Sequence, residues 1–477
     1  MSAMINLADV QGNILRGYTR KPHVRYLILE VADPSAARRW LADSVSGRNG
    51  VPQITSGDWG ENKPETCFNI GLTYEGLRAL GTPSASLKMF PNEFVEGMTA
   101  RAWKLGDVGP SAPETWPKPF NEPKRIHLIA TIYAKRVDQL NDVQERAVAD
   151  KKKAWTLLDT REGCSFPDKR DRDRVHFGYL DNITQPRFEG VPDSQRHPDR
   201  QPKAPLGTVL LGHKTNLEGL MWQVPQPEAL GHNGTFNAFR VLEQDVEGFE
   251  KYLDWAASEL LEHPQVDELL PPGAEEKIGQ VLPIEGRRGA LREIVAANLC
   301  GRWRDGTPLA LSADAPDPEV DLTDFDYGRD SRCPYGAHIR RCNPRGGQIV
   351  QRIANNSRRL VRRGVPYGPR YDRTSARVLD EPERGLLGNF IGASLGAQFE
   401  AMSYDWLNLG LQDPRITGSN DPISGANDPD TGWFDLPLKS GTTIRLQGLP
   451  RFVRTRGGAY TFLPSLSAIR FLGSQMM

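Results

Sequence analysis

The chain has 477 residues, 38% of them hydrophobic and 25% charged, and Lys plus Arg equals Asp plus Glu at 60 each, so the formal net charge is zero. A chain of this length buries a sizeable core and is longer than one ordinary domain. The balanced charge excludes a nucleic-acid binder held by a global basic field. Five cysteines, Cys67, Cys164, Cys300, Cys333 and Cys342, form an odd, sparse set without framework spacing, as suits reduced thiols in a cytoplasm. Residues Met1 to Asn6 lack a basic segment followed by an apolar one, and no uninterrupted apolar run is long enough to span a bilayer. The expectation is a soluble, non-exported, cytoplasmic protein with neither membrane nor nucleic acid as partner.

The first strong strand is His23 to Val31, where Val24, Tyr26, Ile28 and Glu30 alternate with Arg25, Leu27, Leu29 and Val31. One face is mixed and the other mostly apolar, the pattern of a sheet covered by helices. Asp33 then reads as the N-cap of a helix with Ala36, Ala37, Trp40 and Leu41 on one side. A second strand, Cys67 to Leu72, runs into a short helix begun by Thr73 and ended by Gly81, and a third, His127 to Ala134, precedes a helix from about Val137 to Lys151. Strands separated by helices, with connections too long for hairpins, indicate an α+β sandwich such as a ferredoxin-like unit.

Val191 to Pro205 is rich in Pro, Asp, Arg and Gln and reads as a long surface connection. It divides the chain into an N-terminal domain, residues 1–190, a linker, 191–205, and a C-terminal domain, 206–477. Beyond it come a short apolar strand, Leu206 to Leu211, and another, Phe236 to Leu242, opened by Asn233 and Gly234. A helix follows with Val246, Phe249, Leu253, Ala256 and Leu260 at helical spacing. The strand-then-helix order echoes the first half. Ala290 to Leu299 reads as a helix, and the acidic run from Asp314 to Asp326, broken by prolines, as a solvated loop.

Three stretches carry side chains suited to chemistry. In Cys333-Pro334-Tyr335-Gly336-Ala337-His338-Ile339-Arg340-Arg341-Cys342-Asn343-Pro344-Arg345 one histidine lies between a loop containing Pro and Gly and paired arginines. Imidazole is a standard axial ligand of haem iron, and Arg340, Arg341 and Arg345 are suited to the two propionates. The same residues allow an ordinary polar histidine. Cys333, His338 and Cys342 also allow zinc, although their spacing lacks a C-x2-C pair and a fourth ligand. In the segment His176 to Pro186, Gly178 permits a tight backbone and Pro186 ends the run, so Asp181 stands on a stiff loop, with an Asx turn as the other reading. Arg358 to Gly368 clusters arginines that face a cofactor or water, since no exposed aromatics accompany them.

These stretches resemble the dye-decolourising peroxidases, a haem family. The segment around His338 is similar to their CPxxAHIRRxNPR motif, in which this histidine is the proximal iron ligand. His176 to Pro186 resembles HFGFxDGISQP, whose aspartate lies on the distal face of haem, and RRGVPYGP resembles RxGxPYGP, whose first arginine matches Arg362 rather than Arg363. LADVQGNILRGY, NGTFNAFRVLEQDVEGFEKYL, GRWRDGTPL, the region Arg384 to Glu400 and RGGAYTFLPSL are similar to the family as well, so the resemblance spans nearly the whole chain. Three positions depart from it. Asn182 stands where the family has glycine, Gly388 where phenylalanine is usual, and Gly392 in place of a bulky polar or aromatic residue. Asn tolerates positive φ, so the turn at position 182 survives while its side chain adds volume to a pocket that must admit peroxide.

The resemblance implies an α+β fold of two ferredoxin-like domains with antiparallel sheets and peripheral helices, of the dimeric α+β barrel type, with haem b in the C-terminal half. It implies His338 as iron ligand, Asp181 as acid/base and Arg362 as stabiliser of negative charge on the departing peroxide oxygen. Thr184 and Gln185 are expected near a propionate with Arg340 and Arg345, and Glu400 is expected to accept a hydrogen bond from the proximal histidine. Hydrogen peroxide is then the oxidant, and dyes, phenols and similar one-electron donors are the substrates. A homo-oligomer is a further expectation. The alternative is a haem-binding protein, or an oxygenase- or peroxygenase-like enzyme whose altered distal loop leaves weak peroxidase turnover.

Overall fold

The computed structural model describes residues 5–474 except 19, 60–62, 149–152, 169–172, 193–199, 218, 329–331, 346–357 and 373–382. The first half of the chain holds β1 (His23–Val31), α1 (Pro34–Ser44), β2 (Cys67–Leu72), α2 (Tyr74–Ala79), β3 (Leu128–Ala134), α3 (Val137–Val148) and β4 (Trp155–Cys164). Local chemistry starts α1 and α2 as expected. Asp33 accepts a hydrogen bond from the Ala36 amide at 2.6 Å, and the Thr73 hydroxyl accepts one from the Gly76 amide at 2.9 Å. Of the helix expected to reach Lys151, the part beyond Val148 lies outside the described residues. The mixed face of β1 does not meet water, because Val24 to Leu29 are all buried. Arg25 is covered by α3, donating to Asn141 at 2.9 Å and Gln144 at 2.8 Å, and it pairs with Glu162 of β4 at 2.5 Å.

The second half holds β5 (Thr235–Gln244), α4 (Val246–Leu261), α5 (Gly286–Cys300), α6 (His338–Cys342), β6 (Val361–Tyr367), β7 (Gly385–Gly392), β8 (Trp433–Pro437), β9 (Thr443–Gln447), β10 (Val453–Leu463) and α7 (Leu466–Ser474). Leu206 to Leu211 is not a strand. Its first residues form a 3-10 turn, Leu206–Thr208, while Val209, Leu210 and Leu211 are buried. A short apolar run between turn residues does not by itself separate a strand from other buried segments.

The strands form one eight-stranded sheet in the order β4-β1-β3-β2-β10-β5-β7-β6, with β8 and β9 as a separate hairpin. Every pairing in it is antiparallel. Each half repeats the fourth-first-third-second order of a ferredoxin-like unit, and the halves meet where Phe462 of β10 pairs with Leu72 of β2. The two edge strands approach each other as well. A Cβ on Gly163 of β4 would lie 2.5 Å from Val365 of β6, so the sheet curls towards a barrel.

The largest apolar core runs from Tyr18 to Leu472 and draws on both halves. A second cluster packs α4 and α5 against the β8-β9 hairpin. A third joins Val10 and Ile14 to Val361, Ile391 and Leu463, so the N-terminal segment is seated on β6, β7 and β10. Of the expected connection 191–205, residues 193–199 lie outside the described residues. Beside them, Phe188 and Ala204 pair in a single parallel bridge. Among the described residues, no helix is long and apolar enough to cross a membrane.

Candidate active site

The loop that carries Asp181 is held from below. The Leu180 amide donates to the Arg304 carbonyl at 3.0 Å, the Asp181 amide to the Asp173 carbonyl at 2.6 Å, and Arg174 to the carbonyls of Gly178 (2.7 Å) and Arg304 (2.6 Å). Phe177 and Tyr179 are buried, and the Tyr179 hydroxyl donates to the Ala296 carbonyl of α5 at 2.7 Å. Gly178 takes φ +85° with Arg304 pressed against it, so a side chain there meets both strain and an obstacle. Arg304 belongs to the GRWRDGTPL stretch and is itself held by Glu250 at 3.0 Å and Glu293 at 3.3 Å. That motif therefore supports the Asp181 loop. The Asp181 side chain is exposed, and among the described residues its carboxylate has no hydrogen-bond or ion-pair partner.

Asn182 adopts φ +58°, the left-handed conformation its side chain tolerates. The substitution thus leaves the backbone turn in place and adds an amide beside Asp181. Asn182→Gly is expected to speed the reaction with peroxide at unchanged haem content and to alter stability by no more than about 1 kcal/mol. Stopped-flow mixing with peroxide and a denaturant titration check the two parts.

Arg362 and Arg363 are neighbours on β6 and face opposite sides of the sheet. Arg362 reaches the Asp181 loop. Its guanidinium donates to the Thr184 carbonyl at 2.8 Å, and its main chain exchanges two hydrogen bonds with the Gln185 side-chain amide, at 3.0 and 2.9 Å. Among the described residues no carboxylate neutralises it. Arg363 points into the barrel, where it donates to the carbonyls of Asn13 (2.8 Å) and Ile14 (3.2 Å), and burial pushes its pKa down to about 10. On the Arg362 face, Arg362 pairs across the strands with Phe390, and Gly364 with Gly388. Gly392 opens no space, since a Cβ there would sit 2.6 Å from the Gln398 amide oxygen and 2.9 Å from Leu360.

Of the two residues expected at a propionate, Gln185 is committed to the main chain of β6. Thr184 differs, because its buried Oγ1 has no hydrogen-bond partner and is available to an added acceptor.

His338 opens α6 with its side chain 30% exposed, and its Nδ1 lies 3.0 Å from both oxygens of Asp421. Asp421 is fully buried. Its Oδ1 also accepts from the amides of Ile423 (3.0 Å) and Ser424 (2.7 Å) and from the Ser424 hydroxyl (3.0 Å). Burial alone would lower the His338 pKa, yet the Asp421 charge outweighs it and, with Cys342, holds it well above the ordinary value. Burial likewise opposes ionisation of Asp421, and His338 and Arg341 overcome it, so its pKa is lowered. The Nε2 of His338 has only a long contact to the Cys342 sulfur, 3.8 Å, among the described residues. One ring nitrogen is thus fixed by a carboxylate and the other is unspent, the arrangement of a metal-ligating imidazole.

Several expectations are corrected here. Glu400 is not the partner of His338. It lies buried against Arg101, at 3.0 and 2.6 Å, and accepts from the Tyr460 hydroxyl at 3.0 Å. Arg340 and Arg345 are turned into the protein rather than towards a propionate. Arg340 donates to the Cys333 carbonyl and lies over the rings of Tyr335 (3.9 Å) and Tyr327 (4.7 Å). Arg345 donates to the carbonyls of Thr323 (3.0 Å) and Phe325 (2.9 Å) and lies 3.6 Å over Phe325. Arg341 braces the proximal side, donating to the carbonyls of Gly336 (3.0 Å), Trp406 (3.1 Å) and Ser419 (3.0 Å). Such carbonyls must be satisfied once buried. Cys333 does not converge on His338 and Cys342, and no group of three or more potential metal-holding side chains is found among the described residues.

His176, at the start of the Asp181 segment, places Nε2 2.8 Å from the Tyr367 carbonyl and leaves Nδ1 buried without a partner. Burial pushes its pKa from 6.5 down to about 4. The unfolded chain therefore binds more protons in that window. The stability linked to the neutral ring is complete above pH 6.5 and is lost as pH falls to 4, amounting to about 3 kcal/mol. Denaturant unfolding at pH 7 and pH 4.5 is expected to show a smaller difference in His176→Gln than in the parent.

Comparison with known proteins agrees with this geometry. Residues 9–163 match the family model of the DyP dimeric alpha+beta barrel domain. The chain is 28% identical to a multifunctional dye peroxidase of an Amycolatopsis species, an alignment covering 98% of this chain and 96% of that protein. It is 27% identical to a dye-decolorizing peroxidase of Mycena epipterygia, covering 98% and 86%. The crystal structure of a fungal DyP-type peroxidase from Auricularia auricula-judae superposes with a TM-score of 0.78 at 25% identity, over 99% of this chain and 100% of that one. The chain is thus similar to dye-decolorizing peroxidases over nearly its whole length, and residues 9–163 carry that family's barrel domain. Dye-decolorizing peroxidases are haem enzymes, and the residues fit that cofactor. His338 presents a fixed ring with a free Nε2, Thr184 has an unpaired buried hydroxyl, and Arg362 brings an unneutralised cation to the Asp181 loop.

Proposed function

We propose that this chain is a dye-decolorizing peroxidase that uses hydrogen peroxide to oxidise dyes, phenols and similar one-electron donors, with haem b held through His338. The observation that carries the reading is the division of labour between two sites. One is an imidazole locked by a buried carboxylate, and the other a carboxylate and a guanidinium without ionic partners. Haem, when bound, supplies the oxidising equivalents that the donors discharge. The chain's own residues do the rest. His338 Nε2 would hold the iron, and Asp421, accepting from Nδ1, fixes the tautomer and would make the ring a stronger donor. Asp181 takes a proton from one peroxide oxygen and returns it to the other, so that water rather than hydroxide departs. Arg362 stabilises the negative charge that develops on the departing oxygen.

A related dye-decolorizing peroxidase has been crystallised with 2,6-dimethoxyphenol, which supports phenols as donors here. A haem carrier without turnover would not need a carboxylate and a guanidinium, both without ionic partners among the described residues, at the one loop that Arg362 reaches through the Thr184 carbonyl. The two-domain division belongs to the same proposal, the first domain supplying Asp181 and the second His338. So does a cytoplasmic location, supported by five free thiols. The absorption spectrum of the purified protein, followed by peroxide-dependent dye oxidation, tests the reading. A haem band and turnover are expected in the parent, and His338→Ala should lose both. A parent without the band, or a His338→Ala variant with unchanged spectrum, would overturn it.

A further inference from the structure

The sheet order ends at β6, which pairs with β7 on one side only. Main-chain groups on its outer side need partners from elsewhere. The segment that carries Asp181 supplies them at both of its ends. His176 Nε2 lies 2.8 Å from the Tyr367 carbonyl. The Gln185 side-chain amide takes both main-chain groups of Arg362, Oε1 accepting from the amide at 3.0 Å and Nε2 donating to the carbonyl at 2.9 Å. The Asp181 loop therefore lies between two fastenings to the strand that bears Arg362. A main-chain donor and a main-chain acceptor dictate which way the Gln185 amide faces, so this side chain does the work of a peptide group on a neighbouring strand. A carboxylate cannot donate, an apolar side chain does neither, and asparagine is one methylene shorter.

The same bonds close a ring. Thr184 precedes Gln185, and its carbonyl accepts from Arg362 Nη2 at 2.8 Å. Arg362 is thus gripped at its main chain by one residue and at its guanidinium by the residue before it, and Gln185 fixes the span between the two grips. The other hydrogen bond of the guanidinium among the described residues is longer, 3.3 Å to the Leu360 carbonyl. A long side chain without a carboxylate partner owes its aim to this ring, since its free rotamers are many. We propose that Gln185 is a positioning residue for Arg362, acting through the main chain of β6 and the Thr184 carbonyl. The inference rests on the peroxidase reading, in which Arg362 stabilises the departing oxygen, and adds a residue that works only through that arginine.

The test compares the parent holoenzyme with Gln185→Met, Gln185→Glu, Arg362→Ala and the double variant Gln185→Met/Arg362→Ala. Gln185→Met is expected to lower the rate constant with hydrogen peroxide by about tenfold to 10²-fold, the scale of an ångström-sized misplacement. Gln185→Glu keeps the acceptor and loses the donor, so its rate constant should fall by about fivefold or more, which keeps the test usable if the methionine variant folds poorly. Two readouts do not depend on turnover. Amide hydrogen exchange of the peptide carrying Arg362 should quicken by about fivefold or more in Gln185→Met, the scale of one lost hydrogen bond. Fluoride binding, an equilibrium probe of the Arg362 charge, should weaken by about tenfold. With Arg362→Ala already in place, Gln185→Met should change the peroxide rate constant and the fluoride affinity by less than about twofold, because its route of action is gone. Parent-like rates and fluoride affinities in both Gln185 variants would overturn the inference. So would equal losses with and without Arg362, the mark of a general structural role, and so would loss of haem in both Gln185 variants, which would put the residue on the cofactor instead. A parent-like rate in Arg362→Ala overturns the role that the peroxidase reading gives this arginine, and the inference with it, whereas a slow Arg362→Ala beside normal Gln185 variants overturns the inference alone.

Discussion

Asp181→Asn is expected to slow the reaction with hydrogen peroxide by about 10²- to 10⁴-fold, the range for loss of a positioned general acid/base. Arg362→Ala is expected to cost about 10²- to 10³-fold through loss of charge stabilisation. In the proposed mechanism the two groups act on one event, a proton returning to an oxygen as negative charge builds there. Their losses should therefore not add, and the double variant should be little slower than the worse single one. Neither side chain supports the fold. Asp181 has no side-chain partner among the described residues, and Arg362 donates only to the carbonyls of Thr184 and Leu360. Haem content and unfolding midpoint should stay near those of the parent, while stopped-flow rate constants with peroxide fall. Loss of haem in Asp181→Asn would show that the carboxylate has a structural task instead.

Asp421→Ala should produce the second large effect, about a 10- to 100-fold loss of haem affinity, as for other residues that orient a metal ligand. The substitution frees Nδ1 of His338 and also strips the acceptor from Ile423 and Ser424, so both the ring and the loop beneath it lose their hold. Glu400→Gln is the informative contrast. It should leave the haem spectrum alone and cost about 1–3 kcal/mol of stability, because Arg101 keeps Glu96 at 3.0 Å but loses its buried carboxylate partner. Haem transfer to a competing acceptor measures the first effect and denaturant unfolding the second. A shifted haem spectrum in Glu400→Gln with none in Asp421→Ala would reverse the two assignments.

Why Asp421 escapes a reading of the sequence while His338 does not is a matter of context. His338 lies in a dense motif with unusual spacing. Asp421 is 83 positions away, in a loop of Gly, Ser and Asn whose apolar residues have no period to follow. The only local hint is Ser424 three residues after it, a pattern of an Asx turn. The arginines mislead in the same way. Charge alone suggests Arg340 and Arg345 for an anionic cofactor, whereas burial commits them to carbonyls and rings, and burial is set by partners far along the chain. Strands are legible where flanking turn residues isolate an apolar run, as at His23–Val31 and Cys67–Leu72. β4 is not, since Trp155–Cys164 is a polar edge strand with no such run. The neighbouring arginines of β6 face opposite sides of the sheet, as adjacent residues of a strand do, whereas the choice of Arg362 over Arg363 comes from the resemblance to RxGxPYGP.

That alternation ties two distant parts of the molecule together. Arg363 grips the carbonyls of Asn13 and Ile14 on the inside of the barrel, while Arg362, one peptide away, reaches the Asp181 loop. The short turn near the amino terminus therefore acts as a mooring for the strand that carries Arg362. Trimming the chain beyond Leu15 would slacken that line and dull peroxide chemistry in a protein that still carries its pigment.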